Sequence, residues 1–183
     1  MKRFMAEIRY LDPAHALDVA AGDGCVISDL LKERYYAVDC FDCDLPSVSK
    51  LKKLQKKFHE VEHVDHATMQ SYVWRQEYSG IFLRWCTGYI QDHELVVFLR
   101  KASQHLQRCQ LRAGYTTESS SYIFVLDNLL EPGEEPFQVN GQRVRNREDL
   151  EKIFERANLK IVKHSTVVTL HKDFKPVMMW ALC

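Results

Sequence analysis

One stretch constrains this chain more than any other. In Ala16-Leu17-Asp18-Val19-Ala20-Ala21-Gly22-Asp23-Gly24 an apolar run passes directly into small residues and then into helical periodicity. Strand, tight turn and helix in that order form the unit from which parallel sheets are built, and the turn needs backbone without bulky side chains. With Ala20, Gly22 and Gly24 in place, a nucleotide-like molecule can lie across the turn while helix N-terminal amides face it. Asp18, at the strand end, puts a carboxylate where it can contact the loop or an amine on that molecule.

Twenty residues after Gly22 comes Asp42, which closes a second apolar strand, Tyr36-Ala37-Val38-Asp39-Cys40-Phe41. Nucleoside-binding α/β folds place an acid there because it accepts hydrogen bonds from ribose hydroxyls, one helix and one strand further along the chain. A dinucleotide turn requires Gly-x-Gly-x-x-Gly, and Ile27 occupies the third glycine position, so nicotinamide cofactors fit less well. Val64-Asp65-His66-Ala67 ends a third strand, from which Asp65, His66 or the adjacent backbone can meet an adenine ring.

The rest of the 183 residues follows the same alternation. Strands are predicted at 16–20, 36–40, 63–66, 81–85, 122–127, 159–169 and 177–183, and helices at 26–34, 48–58, 92–107 and 147–157. Asn146 suits the N-cap of the last helix, with Glu148 and Asp149 in its first turn, and Asn158 suits a left-handed end. Between the last two strands lies only a short polar segment, so they are expected to pair as an antiparallel hairpin. A mostly parallel seven-stranded Rossmann-like sheet with that terminal hairpin and helices on both faces is the class I methyltransferase layout. Residues 110–121 read as a long exposed loop. No repeat or linker divides the chain, so a single domain is expected.

Other signals exclude alternatives. The 25 Lys+Arg balance 25 Asp+Glu, and no aromatic-rich basic patch appears, which argues against a nucleic-acid partner. The N-terminus lacks an apolar run of signal-peptide length, and no segment approaches a membrane span, so the chain reads as intracellular: cytoplasmic, nuclear or within an organelle matrix. Six scattered cysteines form no disulfide framework. His59-Glu60-Val61-Glu62-His63 matches a zinc-protease motif, but a strand is expected there, and residues four apart in extended chain lie about 13 Å from each other. No metal is expected. Cys40-Phe41-Asp42-Cys43 lacks the second pair that a zinc site needs.

Several motifs together resemble a family. Leu17-Asp18-x-Ala20-Ala21-Gly22-x-Gly24, Asp42, Trp85-x-x-Gly88, His93-Glu94-Leu95-x-x-Phe98-Leu99-Arg100, Val125-x-Asp127-Asn128 and Trp180-Ala181-Leu182 look like the protein α-N-terminal methyltransferases. The resemblance runs from about Ala16 to Cys183, and its most specific parts are the Trp85-to-Arg100 stretch and Asp127-Asn128-x-x-x-x-Gly133. It implies S-adenosyl-L-methionine as cofactor and, as substrate, the terminal amine of proteins beginning Xaa-Pro-Lys. Carried over, Gly22 and Asp42 would touch the cofactor, Trp85 would wall the substrate entrance, and Asn128 would hold the terminal nitrogen.

The departures bear on catalysis. Ala20 replaces a glycine. Cys25 replaces an arginine that would meet the methionine carboxylate, and Arg84 replaces a glutamine near the cofactor, where a cation can take over that carboxylate or repel the sulfonium. Tyr89 replaces a histidine; a phenol near pKa ~10 is a poor base at neutral pH, although it can position the amine. Asp127 is the remaining acid at that strand end, either as a base or fixed by backbone amides. Phe137 and Asn140 stand where the family places acids around the incoming amine and lysine, and the family segment that precedes the first strand has no counterpart. Two readings follow: an N-methyltransferase acting on a protein or peptide N-terminus, or a weak or inactive methyltransferase-like subunit that serves as scaffold in a larger assembly. The basic stretch Gln107-Arg108-Cys109-Gln110-Leu111-Arg112 suits the second. Methyl transfer to RNA or a small molecule is a third.

Overall fold

The chain folds around a seven-stranded sheet whose order reverses beside its first strand, and that reversal positions the site. In the computed structural model, residues 1–8, 11–107, 121–130, 134, 138–139, 141–167 and 175–183 are described. The strands are β1 (His15–Val19), β2 (Ala37–Asp42), β3 (Val61–His66), β4 (Gly80–Arg84), β5 (Tyr122–Asn128), β6 (Gln138–Val139), β7 (Gln142–Arg143), β8 (Ile161–Val167) and β9 (Val177–Leu182); the helices are α1 (Lys2–Ala6), α2 (Cys25–Asp29), α3 (Leu45–Lys57), α4 (Asp92–Gln104) and α5 (Arg147–Arg156). The main sheet runs β3-β2-β1-β4-β5-β9-β8. Strands β1 to β5 are parallel, while β9 lies antiparallel to both β5 and β8. The chain leaves β1 towards β2 and β3, then returns to lay β4 on its other side. Ligands of open α/β sheets bind at the carboxyl ends of strands flanking such a switch point.

Period-two alternation feeds two cores. Leu17, Val19, Ile81, Leu83, Ile123 and Val125 pack with Leu95, Phe98 and Leu99 of α4, Phe154 of α5 and Trp180. Ala16, Cys40, Phe82 and Phe124 point to the opposite face, against Phe4 and Met5 of α1, Val26 and Ile27 of α2, and Leu51 of α3. Both faces are therefore covered, which is why the strands read as continuous apolar runs.

All seven predicted strands are present, and the deviations have local causes. Helix α3 begins at Leu45 because Asp44 caps it, accepting the Ser47 amide at 2.9 Å, with proline in the first turn. The predicted 26–34 helix is shorter: α2 stops at Asp29, and Leu31–Glu33 forms a 3-10 turn. Helix α4 ends at Gln104, because Leu106 leaves to bridge Tyr78. Asn146 caps α5 through the Asp149 amide at 2.7 Å, and Asn158 is left-handed at φ 60°, both as the sequence indicated. Helix α1 and the small β6–β7 hairpin were not foreseen; both are too short to carry periodicity. Of the predicted loop at 110–121, only Ser121 lies within the described residues.

Candidate active site

Three residues of the turn after β1 are left-handed: Ala20 at φ 50°, Gly22 at 60° and Gly24 at 76°. The two glycines serve different ends. A Cβ built on Gly22 meets nothing within 4 Å, so this glycine leaves open space over the turn. At Gly24 a Cβ would collide with Leu54 and come within 3.0 Å of Leu51, so that glycine lets α3 pack against the turn. The Gly22 amide donates to Asp42 Oδ2 at 2.8 Å, and the Asp44 amide donates to Asp42 Oδ1 at 2.9 Å. Asp42 thus joins the β1 turn to the end of β2 and retains acceptor capacity on each oxygen.

Asp18 is 1% exposed, and its Oδ2 has no hydrogen-bond partner. Burial pushes its carboxyl up to about 7, against the attraction of Arg84. A buried acid left in this condition is costly to the isolated fold and marks a place where a cation or donor is expected. Arg84, at the end of β4, sends Nη2 to the Cys25 thiol and stacks its guanidinium over Trp85, 4.7 Å from the ring centroid. The cation therefore reaches the start of α2 from the neighbouring strand.

Along these strand ends lies a cleft of about 570 Å³, walled by Ala20, Phe41 and Asp42 on one side and by Trp85, Tyr89 and Ile90 on the other. Its far end is closed by Ala67, Thr68, Met69 and Gln70, just beyond β3. A second cavity of about 290 Å³, lined by Cys25, Arg84 and Leu126 among others, shares Trp85 with the first. Trp85 is left-handed at φ 52° and 43% exposed; Tyr89 is 64% exposed. Asn128, half-buried, ends β5 two residues past Leu126, whose carbonyl accepts the Trp85 amide at 2.8 Å; it is not among the residues that line either cavity. Asp127 is buried, and its carboxylate is fixed: Oδ2 accepts the Thr87 amide at 3.2 Å and the Thr87 hydroxyl, and Oδ1 accepts the Asn128 amide at 2.8 Å. Burial raises its pKa, partly offset by Thr87.

The remaining candidates face elsewhere or lie outside the described residues. The Asp65 carboxylate is paired with Arg75 at 2.7 Å, and His66 Nε2 meets the Cys43 carbonyl at 3.0 Å, while the far end of the cleft is lined by the residues that follow them. Asn140 and Phe137 lie outside the described residues, as do Gly133 and 108–112. His59 is exposed beside Glu60, while His63, on β3, turns to Asp39 Oδ1 at 2.8 Å. There His15, Asp39 and Glu62 gather ligand-type atoms within 4.8 Å of one another. Asp39 also accepts from Gln76 and Tyr78, at 2.9 Å each, which makes the cluster a hydrogen-bonded junction of β1, β2 and β3.

This geometry has known counterparts. The whole chain, residues 1–183, matches the family described as AdoMet-dependent proline di-methyltransferases. The chain belongs to this family. Its relatives include the alpha N-terminal protein methyltransferase 1 of Dictyostelium discoideum, 24% identical over 91% of this chain and 58% of the relative. The N-terminal Xaa-Pro-Lys N-methyltransferase 1 of Danio rerio is 30% identical over 80% of this chain and 62% of the relative. The chain thus spans about three fifths of the length of these curated relatives. A SAM-dependent methyltransferase from Leishmania major superposes with a TM-score of 0.86 at 21% identity, over 99% of this chain and 69% of that one, so the fold is shared.

Sequence reasoning missed two parts of the site. Thr68 to Gln70 carry no motif, and their only signal is that they follow β3. Arg145, 3% exposed, bonds to the Thr87 and Ile90 carbonyls and to Asp92. A lone arginine before a helix cap gives no sequence signal of such contacts.

Proposed function

We propose that this chain transfers the methyl group of S-adenosyl-L-methionine to an amine, the α-amine of a protein or peptide N-terminus. The observation that carries this reading is the orphaned, buried Asp18, within reach of the charges of Arg84 and Asp42, on the strand that runs into a turn that Gly22 leaves open and whose Ala20 lines the cleft shared with Trp85 and Tyr89. The residues fit the cofactor: Asp42 would take the ribose hydroxyls, Asp18 the methionine ammonium and Arg84 its carboxylate, with the adenine towards Ala67–Gln70. Cleft volumes in the range ~300–1,000 Å³ are those of small-molecule sites. Bound there, S-adenosyl-L-methionine supplies a methyl group activated on a sulfonium.

The protein's remaining task is to hold the nucleophile in line and dry. Asn128 positions the amine, Tyr89 offers its hydroxyl, and Trp85 walls the entrance. Asp127 serves by fixing the Thr87 turn, since its oxygens are already engaged. A terminal amine with pKa ~8 is partly unprotonated near neutrality, so positioning counts for more than a strong base. A chain retained only as a scaffold would have no need of an unpartnered buried carboxylate, and this favours the enzyme.

The test is calorimetric titration with S-adenosylhomocysteine, followed by labelled S-adenosylmethionine with peptides beginning Ser-Pro-Lys and Ser-Pro-Gln. Binding together with label at the peptide's terminal nitrogen is expected. Folded protein that binds no S-adenosylhomocysteine would overturn the reading and favour the scaffold; binding without label on any N-terminal amine would overturn the substrate.

A further inference from the structure

The acceptor wall is a strained piece of chain that something must hold. Trp85 sits at φ 52°, a conformation that costs a side-chain-bearing residue free energy and persists only when its surroundings over-determine it. From Trp85 the chain makes the 3-10 turn Thr87–Tyr89 and reaches Ile90 before α4 begins. Its exposed aromatics, Trp85 and Tyr89, line the cleft. None of this is held by the apolar core alone.

Buried Arg145 supplies the missing constraint. Its Nη1 donates to the Thr87 carbonyl at 2.8 Å and its Nη2 to the Ile90 carbonyl at 2.7 Å, the two ends of the turn that carries Tyr89. Its Nε donates to Asp92 Oδ1 at 2.9 Å, so the charge is compensated at the first residue of α4. Its own carbonyl accepts the Leu130 amide at 3.0 Å, which ties it to the end of β5, two residues past Asn128. The hairpin just before it closes from above. Gln142 Nε2 donates to the Trp85 carbonyl at 3.1 Å, and Gly88 is pressed so closely that a Cβ there would meet Gln142 and the Arg143 carbonyl. From below, Asp127 grips Thr87.

We infer that Arg145 is a positioning residue of the acceptor site: with Gln142 it fixes the Trp85–Ile90 turn against the end of β5, so that Trp85, Tyr89 and Asn128 keep one geometry towards the incoming amine. This rests on the proposed methyl transfer, and it places the control of acceptor geometry in the segment around β7. The planar guanidinium is essential to it, because two diverging carbonyls and a carboxylate are met at once; an ammonium reproduces the charge but not the fork. The turn's hold on the acceptor is thereby separate from the cofactor turn after β1, which shares none of these hydrogen bonds.

The test compares wild type with Arg145→Lys, Arg145→Met and the surface variant Gln142→Ala. S-adenosylhomocysteine affinity is read by calorimetry, methylation by the two peptides above, and amide hydrogen exchange across residues 85–91 by mass spectrometry. In Arg145→Lys, affinity for S-adenosylhomocysteine within about twofold of wild type, a tenfold or larger fall in peptide kcat/KM and faster exchange at residues 87–90 are expected; Gln142→Ala should show a smaller change in the same direction. Exchange and kcat/KM unchanged in Arg145→Lys would overturn the inference. So would loss of cofactor affinity in parallel with turnover, which would make Arg145 a general structural residue. If Arg145→Met fails to fold, the lysine and Gln142 variants decide. If wild type methylates neither peptide, the substrate reading fails, and the exchange measurement alone still decides whether Arg145 holds the turn.

Discussion

Asp18 should make cofactor binding depend on pH, and the size of the effect follows from its burial. In the unliganded protein its carboxyl titrates at about 7, raised chiefly by desolvation. An ammonium brought to ~6 Å from the ionised carboxylate would interact with it by about 3 kcal/mol at an effective dielectric of ~20, which is about two pKa units. A downward shift of that size on binding would raise the affinity for S-adenosylhomocysteine by about twentyfold from pH 5.5 to pH 8. At pH 6.5 about 0.7 proton should be released on binding. Titrations in buffers of different ionisation enthalpy measure both quantities. Asp18→Asn should bind more weakly and lose the slope. The sign for stability is opposite: a carboxyl raised on folding favours the unliganded fold below pH ~4, and that contribution is lost as pH rises through 7. Equal affinities at pH 5.5 and 8, or an asparagine variant that keeps the wild-type slope, would refute the reasoning.

Further expectations concern other parts of the site. Asp42→Ala should weaken S-adenosylhomocysteine binding by about 1.5–3 kcal/mol, as for a hydrogen bond to a charged group; calorimetry checks it, and an unchanged affinity would remove Asp42 from the site. Gly24→Ala should destabilise the fold by about 1–3 kcal/mol from overpacking against Leu54, with about 1–2 kcal/mol more from its left-handed backbone, read by urea unfolding. Hydrogen bonds from His15, His63 and Tyr78 outweigh burial and hold the Asp39 carboxyl at about 2. Its stabilisation is therefore present above pH ~4 and disappears as pH falls through 2, about 2 kcal/mol that Asp39→Asn should no longer show in acid denaturation. If Phe137 and Asn140 replace acids that meet a lysine, as the resemblance implies, a Ser-Pro-Lys peptide should be methylated less well than Ser-Pro-Gln, and Asn140→Asp or Phe137→Asp should narrow the gap; robust turnover of the lysine peptide by wild type would refute this.

The turn after β1 and its link to Asp42 were legible because they are local. A strand, three small residues and an acid one unit later require no long-range knowledge: Gly22 and Asp42, twenty residues apart, meet at 2.8 Å because adjacent parallel strands end together. Legibility stopped where direction mattered. Asp65 and His66 were rightly placed at the end of β3, yet the sequence could not show that Arg75 and the Cys43 carbonyl would claim them. The bulge in the β2–β3 pairing, which shifts register between Val38 and Asp39, was likewise invisible, and with it the junction around Asp39.

The acceptor half could not be read in the same way, and the reason is physical. Its wall is held by contacts across 53 to 58 residues from Arg145 to Asp92, Ile90 and Thr87, and across 57 from Gln142 to Trp85. No periodicity records such contacts. A side chain that touches the ligand must suit the ligand, whereas one that aims the wall must suit only the wall. A change at Tyr89 can therefore alter the chemistry offered to the amine while the clamp that aims it stays in place. On that view the turn after β1 and the Arg145 clamp are separable devices on one sheet, linked through the shared cleft and through Arg84, the last residue of β4, and Trp85, which follows it. Arg84 reaches back to the start of α2, while Trp85 bends away into the acceptor wall. Its left-handed backbone is the point at which the chain passes from one device to the other, and this is where strain is best stored if cofactor and acceptor are to be brought together in one geometry.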